Sequence, residues 1–459
     1  MARRPATAAP RVDVIRVMDL LQTHITSALC RTVFRRVRIA ERQRVWTLEA
    51  LVRFWTAVIL RAPAALSHAL LDAVDARDPF VPRIVATPEA FFQRCRDLRP
   101  AFFAEVFRRF TASLAADVPA RYAAPVAAVQ ARFAAIVLLD GSRLAAIARR
   151  LKLLWDERAV VLPGCLLGVY DLGRGLCRAL YFSADAAASE MTRAKAALAE
   201  LAPDTLILGD RLYGTADFFA TLHARNCWGL VRRNRLLSLH KLQRLSKRRH
   251  AGGCLEDWLV RAGSGATAPV QTLRYIRWRH GRTRHELLTN VLSPARLVAA
   301  EALALYPYRW RIERMYFDLK EVLNLNRIYA ANPNAVAMQV YAAALVYNAM
   351  RVAQGEVAHA AGLSPEDLSP AKLYPKFAAA CYTYVVVQYA EHTIRRRNPR
   401  AKLRPVNWRR ERWASLPVPA LCVEPRHGIR RKRRYCPARR HWKSLKHVRG
   451  GRRFLAKLS

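Results

Sequence analysis

Apolar residues recur with helical spacing in three stretches near the start of the chain, 12–37, 47–74 and 88–116. Positions i, i+3, i+4 and i+7 share one helix face, so these stretches predict a helical region over residues 1–125. Thr87-Pro88-Glu89 reads as a helix start, with a side-chain cap, a proline in the first turn and an acid at the positive end of the dipole. From residue 131 the texture changes. Residues 133–139 are an apolar run of strand length that stops at Asp140-Gly141-Ser142, with a second piece over 142–149. Residues 166–182 hold two runs around Asp171-Leu172-Gly173-Arg174-Gly175, which predicts a hairpin. An alanine-rich helix over 189–201, a strand over 205–209 ending at Asp210-Arg211, a helix over 215–225 and a strand over 228–232 follow. A hairpin followed by strands alternating with helices predicts a mixed sheet with helices packed against it.

Residues 236–288 interrupt that alternation. They begin with Lys241, Arg244, Lys247, Arg248, Arg249 and His250. A β-hairpin is expected next, with runs 271–279 and 283–291 around His280-Gly281-Arg282. Residues 335–352 are apolar nearly all round and should form a buried helix. Ser364-Pro365 and Ser369-Pro370 start further helices, and 372–394 is a last amphipathic piece.

The stretch 305–325, LYPYRWRIERMYFDLKEVLNL, carries the most chemistry. Drawn at about 100° per residue, it places Tyr306, Arg309, Glu313 and Lys320 within a wedge of roughly 60°. Leu305, Ile312, Tyr316, Leu319 and Leu323 form an apolar stripe beside it. A lone acid flanked by cations suits a site that holds a metal ion and grips phosphates. The plain alternative is a solvated face with an Arg309–Glu313 pair one turn apart. Pro307 cannot donate a backbone hydrogen bond, so the helix is expected to begin near it, with Tyr306 at the cap. Trp310 is read as a core residue.

Composition narrows the partner. The 459 residues carry a net charge of +44, with a pI of about 11.1 and 53% hydrophobic residues. Such a surplus repels itself in a compact fold unless a polyanion is present, and nucleic acid is the obvious one. The last 65 residues hold 23 Lys/Arg against two acids, Glu411 and Glu424, which predicts a basic, partly disordered tail over 395–459. The nine cysteines form no Cys-x-x-Cys pair, which fits reduced thiols better than zinc or disulfides. No apolar run is long enough to span a membrane, and the N-terminus has no apolar signal core, so a cytoplasmic, nucleoid-associated protein is expected.

Asp140 and Asp210 each follow an apolar run, at the point where a strand leaves the core. Such an end is rigid and presents its side chain to solvent. The alternative for each is a turn or helix-cap residue. Asp171, Asp204 and Asp217 fit that role more plainly.

Tyr306, two residues, Arg309, three residues, Glu313, six residues, Lys320 is a signature spacing. It resembles that of one group of DDE transposases from bacterial insertion sequences, and the flanking Trp310, Ile312 and Leu319 are similar as well. The order acid, acid, signature glutamate resembles the DDE triad. The resemblance covers roughly residues 130–355. It implies an α/β fold: a ribonuclease-H-like mixed sheet with flanking helices, interrupted by a β-rich insertion. A helical N-terminal region and a basic C-terminal tail flank that core. It implies Asp140, Asp210 and Glu313 as catalytic and metal-binding residues, with Mg²⁺, or Mn²⁺ as substitute. Asp140 and Asp210 would share one ion, Asp140 and Glu313 the other. Tyr306, Arg309 and Lys320 would hold DNA phosphates, and Trp278, in the insertion's hairpin, is the candidate platform for a flipped base. Its alternative is a strand tryptophan packed on its own sheet.

The expected organisation is a helical region over 1–125 and core segments over 126–235 and 291–355. The β-rich insertion covers 236–290, a helical region 356–394 and the tail 395–459. The N-terminal region is expected to bind DNA ends, pair protomers or cap the core. The expected activity is excision and insertion of a DNA element by metal-dependent strand cleavage and strand transfer, by a homodimer bridging two double-stranded ends. Many members of the group pass through a hairpin intermediate. The rivals are a non-catalytic DNA-binding protein with a decayed site and a nuclease on the same fold.

Overall fold

The computed structural model describes residues 11–37, 46–74, 80–81, 84, 86–118, 124–144, 164–185, 188–264, 269–330, 332–398, 415–417 and 421. A short strand β1 (Arg11–Asp13) is followed by seven helices: α1 (Arg16–His24), α2 (Ser27–Val37), α3 (Leu48–Arg61), α4 (Leu66–Val74), α5 (Pro88–Asp97), α6 (Pro100–Asp117) and α7 (Ala124–Gln130). Thr87 caps α5 through Ala90 N–H, with Pro88 in the first turn. The sheet then begins with β2 (Ala135–Arg143), β3 (Cys165–Asp171) and β4 (Leu176–Ser183). After α8 (Glu190–Leu198) come β5 (Thr205–Gly209), α9 (Ala216–Ala224) and β6 (Trp228–Arg232). Four longer strands follow, β7 (Leu239–His250), β8 (Gly253–Ala262), β9 (Gln271–His280) and β10 (Thr283–Thr289). The chain closes with α10 (Ala299–Leu305), α11 (Trp310–Phe317), α12 (Pro333–Ala360), α13 (Pro370–Arg397) and β11 (Ser415–Pro417), which pairs with β1.

Strands β2 to β10 form one nine-stranded sheet, in the order β4-β3-β2-β5-β6-β10-β9-β8-β7. β2, β5 and β6 are parallel, and the other pairs antiparallel. Alternation along the strands sends Leu138, Leu206, Leu208 and Leu230 to one face and Val137, Leu139, Ile207 and Val231 to the other. The first face is covered by the N-terminal helices and α10 to α13, the second by α8 and α9. Every residue of α12 from Ala335 to Met350 is buried, which is why its sequence shows no polar face. Its Asn348 is satisfied there: its Oδ1 accepts from Cys177 N–H, and its Nδ2 donates to Cys177 O and Thr111 Oγ1. This large mixed sheet with helices on both faces is consistent with a ribonuclease-H-like core.

Strands β7 to β10 continue the core sheet. Leu287 is the last β10 residue registered with β6, opposite Arg232, so residues 277–285 project past the carboxyl end of β6 as a ribbon. A fully buried Arg274 fixes the root of this ribbon. It pairs with buried Asp257 and donates to the carbonyls of Val291, Ser293 and Leu297 at 3.1, 3.3 and 2.8 Å.

Several expectations are corrected. β2 does not stop before Asp140 but runs to Arg143, because β3 pairs with it past the end of the apolar run. Residues 145–149, expected as part of a second piece, lie outside the described residues. The basic run 241–250, for which no element was expected, lies in a strand, β7, hydrogen-bonded to β8 with register shifts between Lys241 and Gln243 and between Arg244 and Ser246. The stretch 305–325 does not start a helix at Pro307. α10 leads directly into a 3₁₀ turn, Tyr306–Arg309, then α11, then a π turn, Asp318–Val322. Pro307 falls in the first turn of the 3₁₀ segment, where its missing N–H is tolerated. Trp310 is not core: 59% of it is exposed. Of the tail, 395–397 ends α13, and of the rest only Asn398, Ser415–Pro417 and Leu421 lie within the described residues. Among the described residues no helix is long and apolar enough to cross a membrane.

Candidate active site

The last parallel pair of β2 and β5 is Leu138 with Leu208. Asp140 lies two residues beyond it, and Asp210 directly follows β5. Both therefore stand at the carboxyl edge of the parallel strands. Asp210 also caps the next turn, its Oδ1 accepting from Leu212 N–H at 2.6 Å. The cap alternative and the site reading thus coexist in one side chain.

α11 brings Glu313 to the same edge, and three side chains tie its segment to the strands. Tyr306 donates its hydroxyl to Gly209 O, next to Asp210, at 3.1 Å. Buried Tyr316 donates to the carbonyl of Asp140 itself at 2.8 Å. Lys320 donates to Ser142 Oγ at 2.6 Å and to Arg143 O at 2.7 Å. Gly168, on β3 opposite Asp140, makes room for the Tyr316 hydroxyl; a Cβ there would lie 2.7 Å from it. Burial raises both phenols, Tyr306 to about 12, and lowers the Lys320 ammonium.

Arg309 links two of the acids. Its guanidinium lies 2.9 Å from Glu313 and 3.8 Å from Asp140, and its side chain is only 9% exposed. Its Nε is buried without a hydrogen-bond partner, and its plane lies 4.8 Å from the Trp310 ring. Asp140 is pushed up to about 7, first by burial, then by the negative charge of Glu190, with further contributions from Asp210 and Glu313. Arg309 opposes this but does not outweigh it. A carboxylate crowded by like charges, inside a chain of net charge +44, is a place that lacks a cation.

The structure therefore brings Asp140, Asp210 and Glu313 to one edge, with Arg309 between two of them. Among the described residues no three His, Cys, Asp or Glu side chains converge tightly enough to enclose one ion. An all-oxygen donor set that offers one or two carboxylates per ion and leaves the other positions to water and phosphate is what Mg²⁺ accepts, so the residues fit that cation. Trp278 is not among the acids. It sits on β9 in the ribbon, its indole N–H donating to His250 O at 2.8 Å and its ring packed beside His280 and His285. Glu190, on α8, was missed in the sequence. Its only local signal is its place after the capping Ser189, which most helix starts share.

Residues 166–349 match the family model of the transposase DDE domain. The matched span holds Asp210, Glu313 and the whole Tyr306 to Lys320 segment, and it begins after β2, which carries Asp140. No curated protein matches the chain. With the acids gathered at the carboxyl edge of a mixed sheet, the match makes residues 166–349 similar to a transposase DDE domain.

Proposed function

We propose that this protein cleaves DNA at the ends of a mobile element and joins the freed strands to target DNA, using Asp140, Asp210 and Glu313 as ligands for Mg²⁺ or Mn²⁺. The observation that carries this is the shared guanidinium. Arg309 holds Asp140 and Glu313, from strand and helix, against one positive charge, while Asp140 stays near 7 for want of more. When bound, divalent cations would polarise the scissile phosphate, activate the attacking water or 3′-hydroxyl and relieve the leaving oxygen.

The chain's own residues supply position. Tyr306, Tyr316 and Lys320 fix the acidic helix to the two strand ends, so the acids hold their relative places on rigid elements. Arg309 and Lys320 sit where a backbone phosphate entering the acidic edge would meet them, one as a planar fork and one as a point charge. Exposed Lys247, Arg248, Arg249, Arg279, Arg282 and Arg284 line the end of the ribbon overhanging that edge, and duplex DNA is the polyanion they fit. In this reading residues 236–290 are a DNA-binding insertion between the core segments 126–235 and 291–355. Trp278 remains the base-stacking candidate within it. The helices of 1–125 and 356–394 pack on the core face and serve end binding or pairing of two protomers, and the tail 395–459 adds affinity for DNA near the nucleoid.

The test is Glu313→Gln in the full-length protein, incubated with end-bearing duplex DNA and Mg²⁺. Cleavage and joined products should fall by at least about a hundredfold, while DNA binding persists. Cleavage at the wild-type rate would remove the metal-dependent reading.

A further inference from the structure

Strand β7 is the outer edge of the nine-stranded sheet, and its cations are unevenly divided between its two faces. Residues directly opposite each other in an antiparallel pair point to the same face. Lys241, Arg244, Lys247 and Arg249 lie opposite Val260, Trp258, Glu256 and Cys254 of β8. Those partners are two residues apart, so all four cations share one face. Gln243, Ser246 and Arg248, opposite Leu259, Asp257 and Leu255, fall on the other.

The two register shifts bring this about. Each adds one residue to β7, first Leu242 and then Leu245. In an unbroken strand Arg244 would face away from Lys241 and Lys247. With the bulges, cations three residues apart in the sequence fall in one file. The side chains agree: Lys241 Nζ lies 4.1 Å and the Arg244 guanidinium 5.5 Å from the centre of the same Trp258 ring. That indole is itself fixed, donating to Glu256 Oε2 at 3.4 Å, and Glu256 pairs with Arg277. At about 3.4 Å per residue, the four cations stand about 6.8 Å apart and span about 20 Å. The same face continues across the tip of the ribbon, where Cys254 lies opposite Arg279 and Arg279 opposite Arg284.

These six cations are exposed, and among the described residues none of them has an acid in an ion pair. The two acids of this face, Glu256 and Glu286, are taken by Arg277 and Arg233. Like charges held side by side repel, so the fold alone gains nothing from gathering them. Guarding a sheet edge needs cations but no common face. A polyanion does need one. A DNA strand carries one phosphate per about 3.4 Å of axis, so a file of about 20 Å meets about six of them.

We propose that the DNA contact of the insertion extends from the ribbon's end down one side of β7, along Arg249, Lys247, Arg244 and Lys241, and that the bulges at Leu242 and Leu245 create this side. This rests on the reading of residues 236–290 as a DNA-binding insertion. The partner is the phosphate backbone of duplex DNA, so the track adds affinity without sequence preference.

The test moves charge across the strand without changing its amount. In the full-length protein, Gln243→Arg with Arg244→Gln and Ser246→Lys with Lys247→Ser carry two cations of the file to the opposite face at constant net charge. Urea unfolding checks that this exchange variant is folded. Its log affinity for duplex DNA against log salt, read by fluorescence anisotropy, should be shallower by about 2, equally for end-bearing and unrelated duplexes. Replacing Lys241, Arg244, Lys247 and Arg249 by alanine should lower the slope by about 3 to 4. If the exchange variant keeps the wild-type slope while the alanine variant loses it, only the amount of charge matters. The one-sided track is then overturned and the DNA-binding insertion stands. Wild-type slopes in both would overturn the track and take the DNA contact off β7, while Glu313→Gln still tests the catalytic reading separately. Should the exchange variant fail to fold, the single changes decide: Arg244→Gln should lower the slope by about 1, and Gln243→Arg should leave it unchanged.

Discussion

Replacing Asp140 by asparagine should abolish cleavage yet make the metal-free protein more stable, and the size of the gain follows from the crowding of the acids. Burial and the nearby Glu190, Asp210 and Glu313 move this carboxyl from 3.8 to about 7. The attraction of Arg309 is already included. At about 1.4 kcal/mol per pH unit, ionising Asp140 in the folded chain costs about 4 kcal/mol once both states are charged. A carboxyl raised on folding contributes no penalty below its unfolded value near 4, and stability is lost as pH climbs through about 7. The gain from Asp140→Asn should therefore be under ~1 kcal/mol at pH 4, about 2 at pH 5 and up to about 4 at pH 8. The assay is urea unfolding followed by tryptophan fluorescence, in EDTA, at pH 5 and pH 8. Saturating Mn²⁺ should reverse the order, since only wild type keeps the full carboxylate set. An Asn variant no more stable than wild type at pH 8, or one whose gain is the same at both pH values, would refute the electrostatic account of the site.

Two further outcomes concern the ribbon. Arg274→Met strips buried Asp257 of its partner and leaves the carbonyls of Val291, Ser293 and Leu297 without their donor, so it should cost about 3–5 kcal/mol in urea unfolding. Removing the acid as well, as Asp257→Leu with Arg274→Met, should recover part of that loss; no recovery would mean that the carbonyl contacts, not the buried charge, dominate. Replacing exposed Lys247, Arg248, Arg279 and Arg282 by alanine should lower the slope of log affinity for duplex DNA against log salt by about 3 to 4, read by fluorescence anisotropy. An unchanged slope would place the DNA elsewhere.

Much of this core was legible because its strands are near-continuous apolar runs and its helices start at recognisable caps. Thr87-Pro88 announces α5 in the sequence, and the structure uses it, with Thr87 as cap and Pro88 in the first turn. The spacing from Tyr306 to Lys320 found the acidic helix, but a uniform wheel could not find its shape. A 3₁₀ turn, an α segment and a π turn follow one another there, and Trp310 points to solvent. β7 escaped notice for a different reason. Its apolar residues, Leu239, Leu242 and Leu245, recur every third position across two register shifts, and the rest are charged or polar, so the strand shows no alternation of period two. Glu190 was hidden because nothing local distinguishes it. Only the packing of α8 against the sheet and the reach of Tyr213 bring it beside Gly141.

The donors already committed within the site limit how the signature residues can meet DNA. An ammonium has three donors, and Lys320 gives two to Ser142 and Arg143, so one remains for a phosphate without loosening the helix from β2. Tyr306 has a single hydroxyl donor, and it is spent on Gly209 O. Its contact with a nucleotide must therefore come from the ring or the oxygen lone pairs, or else release the strand end that carries Asp210. Arg309 differs again, because its counterions are the acids themselves. If Asp140 and Glu313 were committed to a cation, Arg309 would lose the attraction that now holds its guanidinium, and its fork, including the unpartnered Nε, would be free to meet a phosphate. The same three residues hold the acidic helix in place, and in the proposed reading they would also grip the DNA backbone, with Arg309 changing partner most, because it is held by charge while Tyr306 and Lys320 donate to backbone carbonyls.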